Sequence, residues 1–245
     1  MPTSSTLHTP SRSIGGPAFH PRAALAVLLF AGTVFAFLAV AVTTGAPITL
    51  LDADVAQWLH VHAHANSSLR GALLLLTHVH STPGILALAV VAAIWLYRQG
   101  QRYWILALVA AVPGGQLLNA LLKQMFARVR PQFAEPLLEL ATYSFPSGHA
   151  LGATVLYGVL ACYAARQARS RAGRVLPFVL ALAMVATVSF SRMYLGVHYL
   201  SDVVAGLAEG CAWLALCLTG VAILARRRPD LAGRAGAAVP EDSPR

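Results

Sequence analysis

Apolar runs of about twenty residues recur along this chain, separated by short polar stretches that hold most of its charge. A run of that length lets an α-helix cross the roughly 30 Å hydrocarbon layer of a bilayer. Within lipid every backbone N–H and C=O needs a partner inside the protein, and a helix is how a single segment supplies them. Six runs fit: about Ala23–Gly45, Leu73–Tyr97, Tyr103–Leu122, His149–Ala165, Val175–Phe190 and Ser201–Ala225. The second is interrupted by HVHSTPG, His78 to Gly84, where Pro83-Gly84 predicts a kink or a division. The expected fold class is all-α, a six-span transmembrane helical bundle over residues 23–225. Residues 1–22 and 226–245 read as disordered tails, polar and rich in Pro and Gly. Only 11% of the residues are charged, against about 25% in soluble domains, which excludes an ordinary soluble domain. The polar stretch before the first run, and that run's length, fit a span better than a cleaved signal.

Basic residues in the short loops set the expected orientation. With six spans, Arg12, Arg22, Arg98, Arg102, Arg166, Arg169, Arg171, Arg174, Arg226, Arg227 and Arg228 share one side. Arg70, Lys123, Arg128, Arg130 and Arg192 share the other. The richer side is assigned as cytoplasmic, which places both termini there. Tyr97, Tyr103 and Trp104 flank one of its loops, as interfacial aromatics do. The net charge of +9 is thus topology plus a cluster on the outer side. No basic, aromatic-interleaved soluble module is visible, so no nucleic-acid partner is expected. Cys162, Cys211 and Cys217 all fall inside the runs and read as small packing residues, not as a disulfide framework.

Three polar clusters fall on the outer side. In KQMFARVRP, Lys123 and Arg130 are close to two helical turns apart, so both can leave one helix face, with Pro131 ending the helix. Two cations there can hold an anion, the Arg as a planar fork and the Lys as a point charge. In SFPSGHA, Ser147 suits an N-cap, Gly148 admits a close ligand, and His149 opens the fourth span, whose N-terminus attracts phosphate. In SRMYLGVHYLSD, Arg192 ends the fifth span, and His198 and Asp202 are four apart and share a helix face. A carboxylate on one ring nitrogen sets the tautomer and leaves the other nitrogen basic, so the histidine can serve as base or nucleophile. Each cluster alone also reads as structure: snorkelling cations, a helix cap, a satisfied His–Asp pair. Their meeting on one face points to a site, because ionisable groups near a membrane are costly.

Lys123-x6-Arg130-Pro131, Pro146-Ser147-Gly148-His149 and Ser191-Arg192-x5-His198-x3-Asp202 together resemble the three-part signature of the type 2 phosphatidic acid phosphatase family, with no departure at a signature position. The resemblance implies a metal-independent lipid phosphatase needing no cofactor. In it, His198 would attack phosphorus and form a phosphohistidine, and Asp202 would orient His198. His149 would protonate the leaving oxygen and then activate water. Lys123, Arg130, Ser147, Gly148 and Arg192 would hold the phosphoryl oxygens. The implied partners are the bilayer and a lipid phosphate: undecaprenyl diphosphate, slightly favoured, phosphatidylglycerol phosphate or phosphatidate. A phosphotransferase using the same phosphohistidine, and a non-hydrolytic lipid-phosphate binder or transporter, stay open. Vanadate-dependent haloperoxidases share similar motifs but are soluble.

Other polar residues carry weaker readings. Arg128 lies off the Lys123/Arg130 face and is read as a headgroup contact. His60, His62 and His64 lie in the first outer loop without the spacing of a metal site. His78 and His80 are read as local contacts, and Gly206/Gly210 as helix packing. Glu209 is a buried acid in want of a partner, and Glu135–Tyr143 is read as a short interfacial helix.

Overall fold

Turn residues decide where each apolar run stops being a helix. The structure, a computed structural model, describes residues 17, 21–138 and 140–228, so most of both tails falls outside the described residues. Eight helices form among them: α1 (Pro21–Thr44), α2 (Ile48–Ala65), α3 (Ser67–Val79), α4 (Thr82–Arg98), α5 (Arg102–Phe126), α6 (Gly148–Gln167), α7 (Arg171–Tyr194) and α8 (Leu200–Arg227). α1 gives way at Gly45, whose φ of 67° suits glycine. α7 is capped by Ser170, which accepts from the Gly173 amide at 3.0 Å. No strand occurs among the described residues.

Five of these helices, α1, α5, α6, α7 and α8, are long and apolar enough to cross a membrane. α3 and α4 make a sixth span if taken as one, bent by 61°. The predicted interruption of the second run is therefore a division into two helices. Pro83 has no N–H to give and Ser81 caps α4 by accepting from Gly84. The Ser81 amide bonds the His78 carbonyl at 3.1 Å rather than that of Thr77. The Thr77 carbonyl is thereby released from the helical ladder.

The first outer loop is a correction. Residues 48–65 form helix α2, and its buried residues Asp52, Ala56, Leu59, His60 and Ala63 fall on one helical stripe. The alternating histidines masked that stripe. A second correction concerns 135–143: the described residues there form no helix. α8 also continues through Arg227, two residues into the stretch read as tail.

α6 lies at the centre, packed on α5, α7 and α8, while α1 packs on α8. The main apolar core gathers Trp104, Leu108, Val112, Val155, Val159 and Leu218. Leu29, Phe30 and Phe37 of α1 and Val179, Leu180 and Leu182 of α7 stay exposed, as a bilayer-facing surface requires. Gly206 and Gly210 serve packing, as their spacing predicts. A Cβ on Gly206 would strike the Ser147 carbonyl, and one on Gly210 would stand 2.8 Å from Thr154 Cβ. Gly210→Val is expected to cost about 1–3 kcal/mol through overpacking. Thermal unfolding in detergent checks this against Gly220→Val, where nothing lies within 4 Å of the new Cβ.

Candidate active site

Alternating helix directions bring the end of α5, the start of α6, the end of α7 and the start of α8 to one end of the bundle. All eight residues singled out from the three clusters meet there, though not always as their spacing predicts. α5 stops at Phe126, with Ala127 in the left-handed region at φ 46°. Arg130 is thus on a loop, not two turns above Lys123 on a common helix face. The two still converge, because both reach back to one strip of backbone. Lys123 Nζ donates to the carbonyls of Tyr143 (2.6 Å) and Ser144 (3.1 Å). Arg130 Nε donates to Thr142 O at 2.6 Å, and its Nη2 to Tyr143 O at 3.0 Å.

Arg130 also settles the state of His198. Its Nη1 lies 3.2 Å from His198 Nε2, and a guanidinium can only donate. Nε2 therefore carries the lone pair and Nδ1 the proton, which is directed to Asp202 Oδ2 at 3.3 Å. His198 is 2% exposed. Burial, then the charges of Lys123, Arg130 and Arg192, hold its pKa well below the ordinary value. It is a neutral, oriented imidazole whose unprotonated nitrogen accepts from Arg130.

Around it stands a cradle. Ser147 does not cap α6 through its side chain. Its amide instead bonds the Asp202 carbonyl at 2.9 Å, and its Oγ is buried without a partner. Gly148 opens α6, whose first-turn amides have no intrahelical acceptor. A Cβ on Gly148 would stand 2.8 Å from Asn119 Oδ1, so a larger residue here would have to displace the Asn119 amide. Arg192 is 1% exposed and donates to Thr77 Oγ1, while its Nε has no partner. His149 Nε2 donates to the released Thr77 carbonyl at 3.1 Å. The bend between α3 and α4 thus supplies the acceptor that orients His149, and His149 lies within electrostatic reach of Arg192.

Several of these groups escaped the sequence reading. Arg128 is not a headgroup contact: it pairs with Asp202 Oδ1 at 2.6 Å and Asp52 Oδ2 at 2.8 Å. Burial opposes its charge, but the two carboxylates outweigh it and raise the guanidinium's pKa. The available signal was three cations within eight residues, only two of them given a role. For Asp52 it was an acid on the apolar stripe of an unrecognised helix. Glu209 finds a partner in Asn119, whose Nδ2 donates to Oε2 at 2.8 Å. His60 stacks on Phe133 at 3.8 Å. His62 and His64 donate to the carbonyls of Trp58 and Glu135. His80 bonds Leu76 O and Tyr157, the local role predicted for it.

Lys123, Arg130 and Arg192 form no ion pair within 4 Å among the described residues; the carboxylate pairs there belong to Arg128 and His198. An unpaired buried charge costs several kcal/mol, so buried Arg130 and Arg192, with half-buried Lys123 beside them, can hold an anion. A cavity of about 530 Å³ adjoins it, lined among others by Arg128, Arg130, Phe133, Thr142, Tyr143 and Val197.

Comparison with known proteins identifies the family. The model of the PAP2 superfamily matches residues 102–226, which include all eight cluster residues. Phosphatidylglycerophosphatase B of Bacillus subtilis is 33% identical over 138 residues, 55% of this chain and 66% of that protein. The decaprenylphosphoryl-5-phosphoribose phosphatase of Mycobacterium tuberculosis is 33% identical over 130 residues, 52% of this chain and 66% of that one. The chain thus spans just under two thirds of these relatives. The crystal structure of a transmembrane PAP2 type phosphatidylglycerolphosphate phosphatase from Bacillus subtilis superposes with a TM-score of 0.67 at 26% identity, over 87% of this chain and 98% of that one. The chain is therefore a multi-span membrane protein belonging to the PAP2 superfamily.

Proposed function

We propose that this protein is a lipid phosphate phosphatase working through a phosphohistidine on His198. The observation that carries the reading is the neutral His198, with its Nε2 lone pair aimed among Lys123, Arg130 and Arg192. A dianionic phosphate would pair those cations, and the Ser147 hydroxyl, the Arg192 Nε and the α6 amides would take its remaining oxygens. Phosphoryl transfer spreads charge over three equatorial oxygens, and positioned cations are what it needs.

In the first step His198 Nε2 attacks phosphorus in line, a P–N bond forms and the ester P–O bond breaks. His149, protonated beside the bound dianion, gives its proton to the departing alkoxide. With Nε2 committed to Thr77, the nitrogen facing the leaving oxygen is Nδ1. In the second step neutral His149 takes a proton from water, the hydroxide attacks phosphorus, the P–N bond breaks and inorganic phosphate leaves. Asp202 holds Nδ1–H throughout and stabilises the cationic phosphoimidazole.

The substrate proposed is a lipid phosphomonoester, phosphatidylglycerol phosphate first. Two relatives are named for phosphatidylglycerol phosphate and decaprenylphosphoryl-5-phosphoribose, which supports a phosphomonoester ahead of undecaprenyl diphosphate. The catalytic bundle proposed is residues 23–225, and the basic-loop bias supports a site on the outer face of the cell membrane with both termini inside. Purified protein in detergent, given phosphatidylglycerol phosphate, phosphatidate and undecaprenyl diphosphate, is expected to release inorganic phosphate fastest from the first. Transfer to an added alcohol without free phosphate would make it a phosphotransferase; binding without turnover would make it a carrier. Because the charge is supplied by three side chains, activity is expected to survive EDTA; loss reversed by Mg²⁺ would overturn the metal-free mechanism.

A further inference from the structure

We propose that Asp52 and Arg128 are positioning residues for His198, acting through Asp202. Together they form a buried carboxylate–guanidinium–carboxylate chain that decides where Asp202 sits and how much of its charge reaches the imidazole. This rests on the phosphohistidine reading above and deepens it.

Both oxygens of Asp202 are committed. Oδ2 accepts from the Tyr199 amide (2.9 Å) and from His198 Nδ1 (3.3 Å), and Oδ1 accepts from Arg128 Nη1 (2.6 Å). The shorter bond is the one to Arg128, so Arg128 has the stronger hold on the carboxylate. Arg128 is fixed in turn: Nη1 also donates to Ser201 Oγ at 2.8 Å, and its guanidinium lies over the Tyr199 ring at 4.2 Å. Its other arm, Nη2, reaches Asp52 on α2 at 2.8 Å. Asp52 then closes the circuit. It accepts the Ser201 amide at 2.9 Å and the Ser201 hydroxyl. Ser201 is in the first turn of α8, where an amide has no acceptor of its own, so a residue of a different helix performs the work of a cap. The side chains of Asp52, Asp202 and Arg128 are 1%, 0% and 12% exposed, so water screens these charges little.

Charge explains why two carboxylates are needed. Arg128 alone would cancel Asp202 and leave the Nδ1–H of His198 facing a neutral pair. With Asp52 the chain keeps one net negative charge, which pulls on Nδ1–H and keeps Nε2 electron-rich while phosphorus is attacked. The charged and titratable groups around His198 are Asp202, Lys123, Arg130, Arg192 and His149, with Arg128 and Asp52 behind Asp202. Of these, the two aspartates are the anions.

The test uses full-length Asp52→Asn and Arg128→Lys with phosphatidylglycerol phosphate, measuring kcat and KM across pH. In Asp52→Asn the positive field at His198 grows and its imidazole takes a proton less readily, so the acid limb of kcat/KM is expected to move to lower pH. The substrate's own ionisation is common to both proteins. A fall in kcat of about 10–100-fold is expected, as for other residues that orient a first-contact group, with KM changed little. Arg128→Lys keeps the charge but loses the fork, and is expected to lose more kcat than Asp52→Asn without the same pH displacement. Activity losses that only track lost folded protein, with the acid limb unmoved in both variants, would reduce the pair to structure and overturn the proposal. So would wild-type kcat in both. His198→Ala run alongside separates the two readings: if it stays active, the phosphatase mechanism itself fails, whatever Asp52 does.

Discussion

His198→Ala is expected to lower turnover by on the order of 10⁴-fold or more, because His198 Nε2 is the lone pair that attacks phosphorus in the proposed mechanism, while His149 Nδ1 faces the leaving oxygen instead. Lys123, Arg130 and Arg192 are cations, and His149 spends one nitrogen on the Thr77 carbonyl. The change leaves Arg130 with its carbonyl contacts and Asp202 with Arg128 and the Tyr199 amide, so the protein is expected to insert and fold. Two measurements check it: released phosphate, and the elution profile in detergent. Rapid quench at alkaline pH of wild type with radiolabelled substrate is expected to show an acid-labile, base-stable phosphoenzyme absent from His198→Ala. Turnover near wild type in the variant would end the mechanism.

Arg192→Gln is expected to lower kcat/KM by about 10³-fold, the scale seen when a buried charge aimed at a developing oxyanion is removed. Arg192 is buried, meets Thr77 through Nη1 and has an unpartnered Nε. Gln can keep a hydrogen bond to Thr77 but supplies neither charge nor fork. Its effect belongs mostly to kcat if the charge is needed as the P–O bond breaks, and to KM if it only holds the phosphate. Arg192→Lys restores charge without the fork and is expected to recover about one order of magnitude. If Gln and Lys behave alike, charge is not what Arg192 contributes. A loss below tenfold in Arg192→Gln would remove it from the cradle.

Much of the candidate site was readable before any coordinates because its parts are local. His198 and Asp202 sit four apart where a helix begins, and Ser147-Gly148-His149 opens another. Short-range spacing suffices for such pairs. Lys123 and Arg130 show the limit. They do converge, but through the carbonyls of residues 142–144 rather than along one helix face, because α5 ends at Phe126. Arg128 was set aside by the same helical assumption, and once the helix stops, the face it was judged against does not exist. α2 was hidden for a different reason. It is too polar to read as a span, and its alternating histidines resemble a loop, yet its buried stripe carries Asp52 to the site.

What the residue order alone determined was the number of apolar runs, and hence that four helix ends carrying the polar motifs lie at one end of the bundle. Parity is arithmetic on hydrophobic lengths, and lipid enforces it. Only the tertiary structure decided which charges touch. Asp52 reaches Arg128 across 76 residues, and Thr77 reaches His149 across 72 with a carbonyl freed by the bend. Neither contact has a periodicity to betray it: a charge pairs with whatever the folded chain brings within about 3 Å, and that distance is set by packing, not by position in the sequence.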